Sequence, residues 1–141
     1  MELPDPIKVV LADDQRAYRE GLARAIAGHC RLELVAVACD GDEAFEAIEL
    51  LEPDVALVDV RMGGMEGTTL CAELRRRHPE LNTRVLLMSA QDGPELSEHA
   101  EQSGADGFVT KDRSRREICE ALVQVSHRRR AFPVLAPADV R

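Results

Sequence analysis

The chain has no tryptophan, one tyrosine (Tyr18) and three phenylalanines. A core short of aromatic rings has to be aliphatic, and with 45% of the residues apolar there is enough material to bury one within a single domain. Lysine is equally scarce, with Lys8 and Lys111 the only two. Acids outnumber bases and leave a net charge of -8. That balance argues against a general nucleic-acid surface, because neutralising phosphates takes an excess of Lys and Arg. No CxxC pair occurs. Cys30, Cys39, Cys71 and Cys119 are far apart, which reads as four reduced, mostly buried thiols. No apolar run approaches the roughly 20 residues of a membrane span, and no charged-then-apolar leader opens the sequence. The expected location is the cytoplasm, without membrane contact.

What is present is a rhythm. Val55-Ala56-Leu57-Val58 runs straight into Asp59. A short continuous apolar run of this kind suits a strand buried on both faces of a parallel sheet. Similar runs are Ile7 to Ala12, Leu32 to Cys39, Arg84 to Met88 and Gly107 to Thr110. Between them, apolar residues recur at helical spacing: Tyr18, Leu22 and Ile26; Ala44, Ile48 and Leu51; Leu70, Cys71 and Leu74; Ile118, Leu122 and Val125. A further helix is expected from Glu95 to Ser103. Asp40 suits an N-cap, and Gly28, Pro79 and Gly104 suit helix stops. Strand and helix alternate five times, which predicts an α/β domain of parallel strands with right-handed crossovers and helices on both faces.

In such a sheet the C-terminal strand ends share one edge, where open α/β folds place their ligand sites. Here those ends carry Asp13-Asp14, Cys39-Asp40, Asp59, Ser89 and Lys111. Asp13, Asp14 and Asp59 suit a hard cation with oxygen ligands, such as Mg2+. Without a cation they repel one another, which raises the pKa of at least one. Carboxylate, divalent metal, ammonium and hydroxyl are the parts needed to move a phosphoryl group onto Asp59 as nucleophile. Two rival chemistries lack their residues. An aspartate-nucleophile phosphatase or dehalogenase needs a second acid two residues after the first, whereas Asp13 and Asp14 are adjacent. A flavin- or nucleotide-binding module needs a Ser/Thr/Gly-rich loop after the first strand, whereas Asp13-Asp14-Gln15-Arg16 would repel phosphate.

Five motifs stand in the order and at the spacings of one known family. They are Asp13-Asp14, Leu57-Val58-Asp59-Val60-Arg61-Met62, Gly64-Met65-Glu66-Gly67, Ser89-Ala90, and Gly104-Ala105-Asp106-Gly107-Phe108-Val109-Thr110-Lys111. Over about residues 7 to 128 the chain resembles a response-regulator receiver domain of bacterial two-component signalling. The resemblance implies a doubly wound, flavodoxin-like (βα)5 fold with five parallel strands in the order 2-1-3-4-5. It implies that Asp59 is the phosphoacceptor, served by a histidine on a sensor kinase. Asp13, Asp14, Asp59 and the backbone carbonyl of Arg61 would hold Mg2+ or Mn2+, and Ser89 and Lys111 would contact the phosphoryl oxygens. Ser89 and Phe108 stand at the family's switch positions. The resemblance implies that their movement repacks the face built from the fourth helix, fifth strand and fifth helix, and that a homodimer can form on activation. Arg61 and Gln91 flank the path of the hydrolytic water and are expected to tune the lifetime of the phosphoryl group. The implied role is a signalling domain with slow autodephosphorylation, not an enzyme.

Two departures stand out. Gly63 replaces the family's usual proline, so its loop is expected to be more flexible. Lys111 is followed by Asp112 where proline is common. Lys-Asp, like Asp13-Asp14-Gln15 with Tyr18-Arg19-Glu20-Gly21-Leu22, is similar to the NarL/LuxR-type subclass, whose output domain is a helix-turn-helix controlling transcription. The expected layout is a disordered lead-in over 1–6, a receiver over 7–130, and a tail or linker over 131–141 toward an output domain that alone would meet DNA. The alternatives are a stand-alone receiver and a phosphorylation-independent interaction module. Arg75-Arg76-Arg77 and Arg113, Arg115 and Arg116 read as solvated faces or partner contacts. His29, His78, His99 and His127 read as helix-end residues without metal spacing.

Overall fold

Strands and helices alternate as their apolar patterns require. The computed structural model describes residues 4–91, 93–127 and 134–135. In chain order the elements are β1 (Ile7–Ala12), α1 (Arg16–Ala27), β2 (Leu32–Ala38), α2 (Gly41–Leu51), β3 (Val55–Asp59), α3 (Gly67–Arg77), β4 (Arg84–Ser89), α4 (Pro94–Gln102), β5 (Gly107–Thr110), α5 (Arg115–His127) and β6 (Val134–Leu135). The first five strands are parallel in the order 2-1-3-4-5. The two-residue β6 adds a sixth beside β5, where Val134 and Leu135 pair with Phe108 and Val109. This edge pairing falls inside the stretch read as tail or linker. The rest of that stretch, Arg128 to Arg130, and residues 1–3 of the lead-in lie outside the described residues.

Period two sorts the core into halves. Ile7, Val9, Leu11, Val55, Leu57, Leu86, Met88 and Val109 pack under α1 and α5, against Leu22, Ile26, Ile118, Leu122 and Val125. Their neighbours Val10, Ala12, Ala56, Val58, Val85, Leu87 and Phe108 pack under α2, α3 and α4, against Phe45, Ile48, Leu70, Leu74 and Ala100. Both faces of β3 are therefore covered, which is why it reads as an unbroken apolar run. Each fully buried Leu or Ile contributes about 1.5–3 kcal/mol by leaving water. The edge strand β2 alternates poorly because its register against β1 slips between Val9 and Val10. Among the described residues no helix is long and apolar enough to cross a membrane.

Two helix starts, those of α2 and α5, are capped by side chains. Asp40 accepts a hydrogen bond from Glu43 N at 2.8 Å, and Glu43 reaches back to Cys39 N at 2.6 Å. Ser114 and Glu117 form a reciprocal box at the start of α5, at 3.1 and 2.9 Å.

Two expectations need correction. Only half of the thiols are buried: Cys71 and Cys119 lie on the inner stripes of α3 and α5, whereas Cys30 and Cys39 are exposed beside the edge strand. Burial pushes the Cys71 thiol up to about 11. Arg75 is not a solvated arginine. Its guanidinium donates to Thr83 O at 2.9 Å and Gly104 O at 3.2 Å and pairs with Asp106 at 2.7 Å. Asp106 in turn accepts from Val85 N at 2.8 Å. One side chain thus ties the last turn of α3 to the starts of both β4 and β5. Arg76 and Arg77 stay exposed and share Glu73.

Candidate functional site

The site lies along the C-terminal edge of the sheet. Parity decides which side chains meet there. Asp59 follows Val58 and Lys111 follows Thr110, so both continue the register of the face covered by α1 and α5. Ser89, paired in register with Thr110, continues the opposite face. Asp59 is 5% exposed and Asp13 is fully buried. Carboxylate oxygens of Asp13, Asp14 and Asp59 all lie within 4.8 Å of one another, with only Asp14 exposed.

Lys111 closes the cluster. Its ammonium donates to Asp59 Oδ2 at 2.9 Å and lies 2.8 Å from Asp13 Oδ2. It also donates to Gln15 Oε1 at 2.9 Å and sits 4.6 Å from the centre of the Tyr18 ring. The other Asp59 oxygen accepts from Arg61 N at 3.2 Å, and Asp13 Oδ1 from Gln15 N at 2.7 Å. Burial raises the Asp59 pKa above the usual carboxylate range; the Lys111 bond opposes this and the Asp13 charge adds to it. Burial alone would pull Lys111 down, but its bonds to Asp13 and Asp59 outweigh that and hold it above the ordinary lysine value. The cluster therefore carries three acids against one fixed cation.

A cavity of about 360 Å3 opens onto this edge, lined by Asp14, Gln15, Asp59, Arg61, Ser89, Ala90, Gln91 and Lys111. Arg61 and Gln91 stand at its exposed rim. Ser89 is buried, and its hydroxyl accepts from Gln91 N at 3.1 Å. Phe108 is 2% exposed, within the core half under α2, α3 and α4. Thr110 Oγ1 hydrogen-bonds Asp112. Gln15 and Tyr18 belong to the stretch that resembles the NarL/LuxR-type subclass, with Tyr18 also on a helix stripe; neither pattern points to Lys111, and their contact with it spans most of the chain.

The loop after Asp59 is shaped by close approaches. A Cβ on Gly67 would stand 2.4 Å from Asp59 O, and one on Gly41 would collide with the Met65 backbone. Gly64 adopts a φ of 75°, where glycine is favoured. Gly63, expected to loosen the loop, is instead tied through its carbonyl, which accepts from Gly41 N at 3.0 Å. A Cβ there would meet nothing within 4 Å, and its φ lies outside the left-handed range. Gly63→Ala is therefore expected to raise stability by about 0.4–1 kcal/mol through the unfolded state. Urea unfolding with an unchanged m-value checks this; a loss of stability would contradict it.

The family description "Response regulator receiver domain" matches residues 9–123. The chain belongs to the response-regulator receiver family. This receiver is 42% identical over 137 residues to the "Probable transcriptional regulatory protein NarL" of Mycobacterium tuberculosis, a match covering 97% of the chain and 61% of that relative. It thus spans about three fifths of that relative's length. Among solved structures, the signal receiver domain of the putative response regulator NarL from Mycobacterium tuberculosis is 43% identical with a TM-score of 0.85, covering 89% of this chain and all of that one. A DNA-binding response regulator of the LuxR family from Staphylococcus aureus is 30% identical with a TM-score of 0.80, covering 86% and 99%. The fold of this receiver is that of its family, and its likeness runs to NarL-type members.

Asp13 Oδ2 is buried and, among the described residues, faces the Lys111 ammonium at 2.8 Å and no other donor. Three carboxylates within 4.8 Å of one another, set against a single ammonium, are a donor set that fits a divalent cation with oxygen ligands.

Proposed function

We propose that this receiver accepts a phosphoryl group on Asp59 from a phosphohistidine of a sensor histidine kinase, and that the acceptance switches its surface. The observation that carries this reading is one carboxylate, Asp59, held by Lys111 at 2.9 Å within the acidic cluster and facing the 360 Å3 cavity. An Asp59 oxygen forms the new O–P bond while the donor's P–N bond breaks and the imidazole nitrogen keeps the electron pair. The carboxylate has no proton to lose, so no general base is required. Lys111 offers fixed positive charge to the phosphoryl oxygens, and Arg61 N keeps the carboxylate oriented. Asp13, Asp14 and Asp59, with the Arg61 carbonyl, would hold Mg2+ or Mn2+, which neutralises negative charge on the transferring group.

Ser89 is the switch hydroxyl in this reading. It would exchange its Gln91 N contact for a phosphoryl oxygen, and Phe108 would follow. A charge-assisted bond present in only one state biases the equilibrium between the two. The switched face would favour a homodimer and pass the signal to a DNA-binding, helix-turn-helix output domain outside this chain, controlling transcription in the cytoplasm.

Incubation with a small-molecule phosphodonor and Mg2+, followed by intact mass measurement, tests the reading. One added phosphoryl group is expected, absent in Asp59→Ala. No gain in the unaltered chain would favour a phosphorylation-independent interaction module. Arg61 and Gln91 stand at the cavity rim, where they govern the approach of water to the phosphoryl group. Arg61→Ala and Gln91→Ala are expected to change the phospho-Asp59 lifetime and still permit phosphorylation. Identical decay of the mass peak in both variants would refute that role.

A further inference from the structure

Lys111 is more fully engaged than its chemistry requires. An ammonium has three protons, and three oxygens from Asp13, Asp59 and Gln15 lie within 2.9 Å of it. Two of these are charged and buried. The third, Gln15 Oε1, is neutral, belongs to an exposed residue and lines the cavity itself. Beneath the ammonium lies the Tyr18 ring, 4.6 Å from its centre. The Tyr18 hydroxyl is buried without a hydrogen-bond partner among the described residues. No hydrogen bond of that hydroxyl holds the residue in place, so the ring face is the part that meets the charge. Gln15 caps α1 only by position, since its side chain makes no capping bond; it is spent on Lys111.

We propose that Tyr18 and Gln15 are positioning residues for Lys111: the Tyr18 ring seats the ammonium, and Gln15 is the neutral contact it releases when it turns to a phosphoryl oxygen. This rests on the reading of Asp59 as phosphoacceptor. To bond a new oxygen, the ammonium must give one contact up. Leaving Asp13 would give up a buried ion pair, whereas leaving Gln15 gives up only a neutral, water-accessible amide. Tyr18 and Gln15 make and break no covalent bond.

The two residues should then act in opposite directions on the rate of phosphorylation by a small-molecule donor. Tyr18→Leu removes the ring and is expected to lower the maximal rate about five- to tenfold, the effect of a partly desolvated cation–π contact. Tyr18→Phe keeps the ring and should restore the rate, with a melting temperature at or above that of the parent. Gln15→Ala frees one ammonium proton in advance and should raise the maximal rate about two- to fivefold, the net worth of one modest hydrogen bond. Rates are read from intact mass across a series of donor concentrations, with melting temperatures in parallel. A fall in both Tyr18→Leu and Gln15→Ala that follows their stability would overturn the proposal. So would a change in Gln15→Ala confined to the half-saturating donor concentration, which would mark Gln15 as a mere gatepost.

A second measurement does not depend on phosphorylation. With two lysines in the chain, the Lys111 ε-methylene signals can be told from those of Lys8 by NMR. The Tyr18 ring should shift them upfield, in Tyr18→Phe as well as in the parent, and the shift should vanish in Tyr18→Leu. A parent chain that takes up no phosphoryl group would sink the acceptor reading and, with it, the release role of Gln15. An absent ring-current shift would sink the seating role alone.

Discussion

Lys111→Met is expected to destabilise the metal-free domain by about 3–5 kcal/mol at neutral pH, the usual result of deleting one partner from a buried ion pair. Methionine keeps an unbranched stem beside the Tyr18 ring and removes the ammonium, its charge and its donors together. What remains is Asp13 with no exposure and Asp59 with 5%, each facing the other's charge. The loss should shrink in millimolar Mg2+, which would bind the folded cluster and stabilise it by mass action. Urea unfolding with chelator and with Mg2+ checks both halves. A cost below about 1 kcal/mol in chelator would show that the lysine is a surface charge in energetic terms.

Asp59→Asn should move stability the other way, by about 1–3 kcal/mol in chelator. At an effective dielectric of about 20, the attraction of Asp59 to Lys111 at 2.9 Å is about 5–6 kcal/mol, and repulsion between two acids near 4.8 Å is about 3–4 kcal/mol. Repulsion from Asp13, with a solvent-screened share from exposed Asp14, offsets much of the single attraction, and burial of the charge tips the balance. Asparagine keeps an acceptor for Lys111 and Arg61 N without the charge. The pH dependence follows the same sign. Because the folded pKa of Asp59 is raised, the folded chain binds this proton more tightly than the unfolded chain does. Stability from this residue therefore rises as pH falls through the folded value, and the gain is complete below the unfolded carboxylate range. Lys111, with its pKa held up, stays charged throughout that window. Asp59→Asn should abolish this residue's contribution. A variant no more stable than the parent, with an unchanged pH profile, would refute the charge imbalance.

The main chain of this site was legible from residue types because its logic is one-dimensional. Continuous apolar runs mark buried strands, alternation with helices makes them parallel, and parallel strands deliver Asp13, Asp59, Ser89 and Lys111 to one edge. Contacts made sideways were not legible. Gln15 and Tyr18 reach Lys111 from the start of α1, and nothing local in either residue points across 96 or 93 positions. The close approach of Gly67 to Asp59 O depends on how a loop folds back, which spacing does not encode. Periodicity assigns Arg75 with Arg76 and Arg77 to a solvated face or a partner contact, whereas its partners, Thr83, Gly104 and Asp106, come from the loops that enter β4 and β5. The exposure of Cys30 and Cys39 reflects β2 being an edge strand, a fact of sheet order. Ser89 shares the rim of Asp59 and leans to the other face, so its hydroxyl rests on Gln91 N.

The Arg75 clamp has a mechanical side. It fastens β4 and β5 to each other and to α3 at their N-terminal ends, while Ser89 and Lys111 occupy the far ends of the same two strands. At that far edge Lys111 N donates to Ser89 O at 2.8 Å, so the two strands are fastened at both ends and Ser89 and Lys111 are held as one unit. Helix α4 is the crossover between these two strands, so both of its ends are anchored to a pair that is itself tied at base and edge.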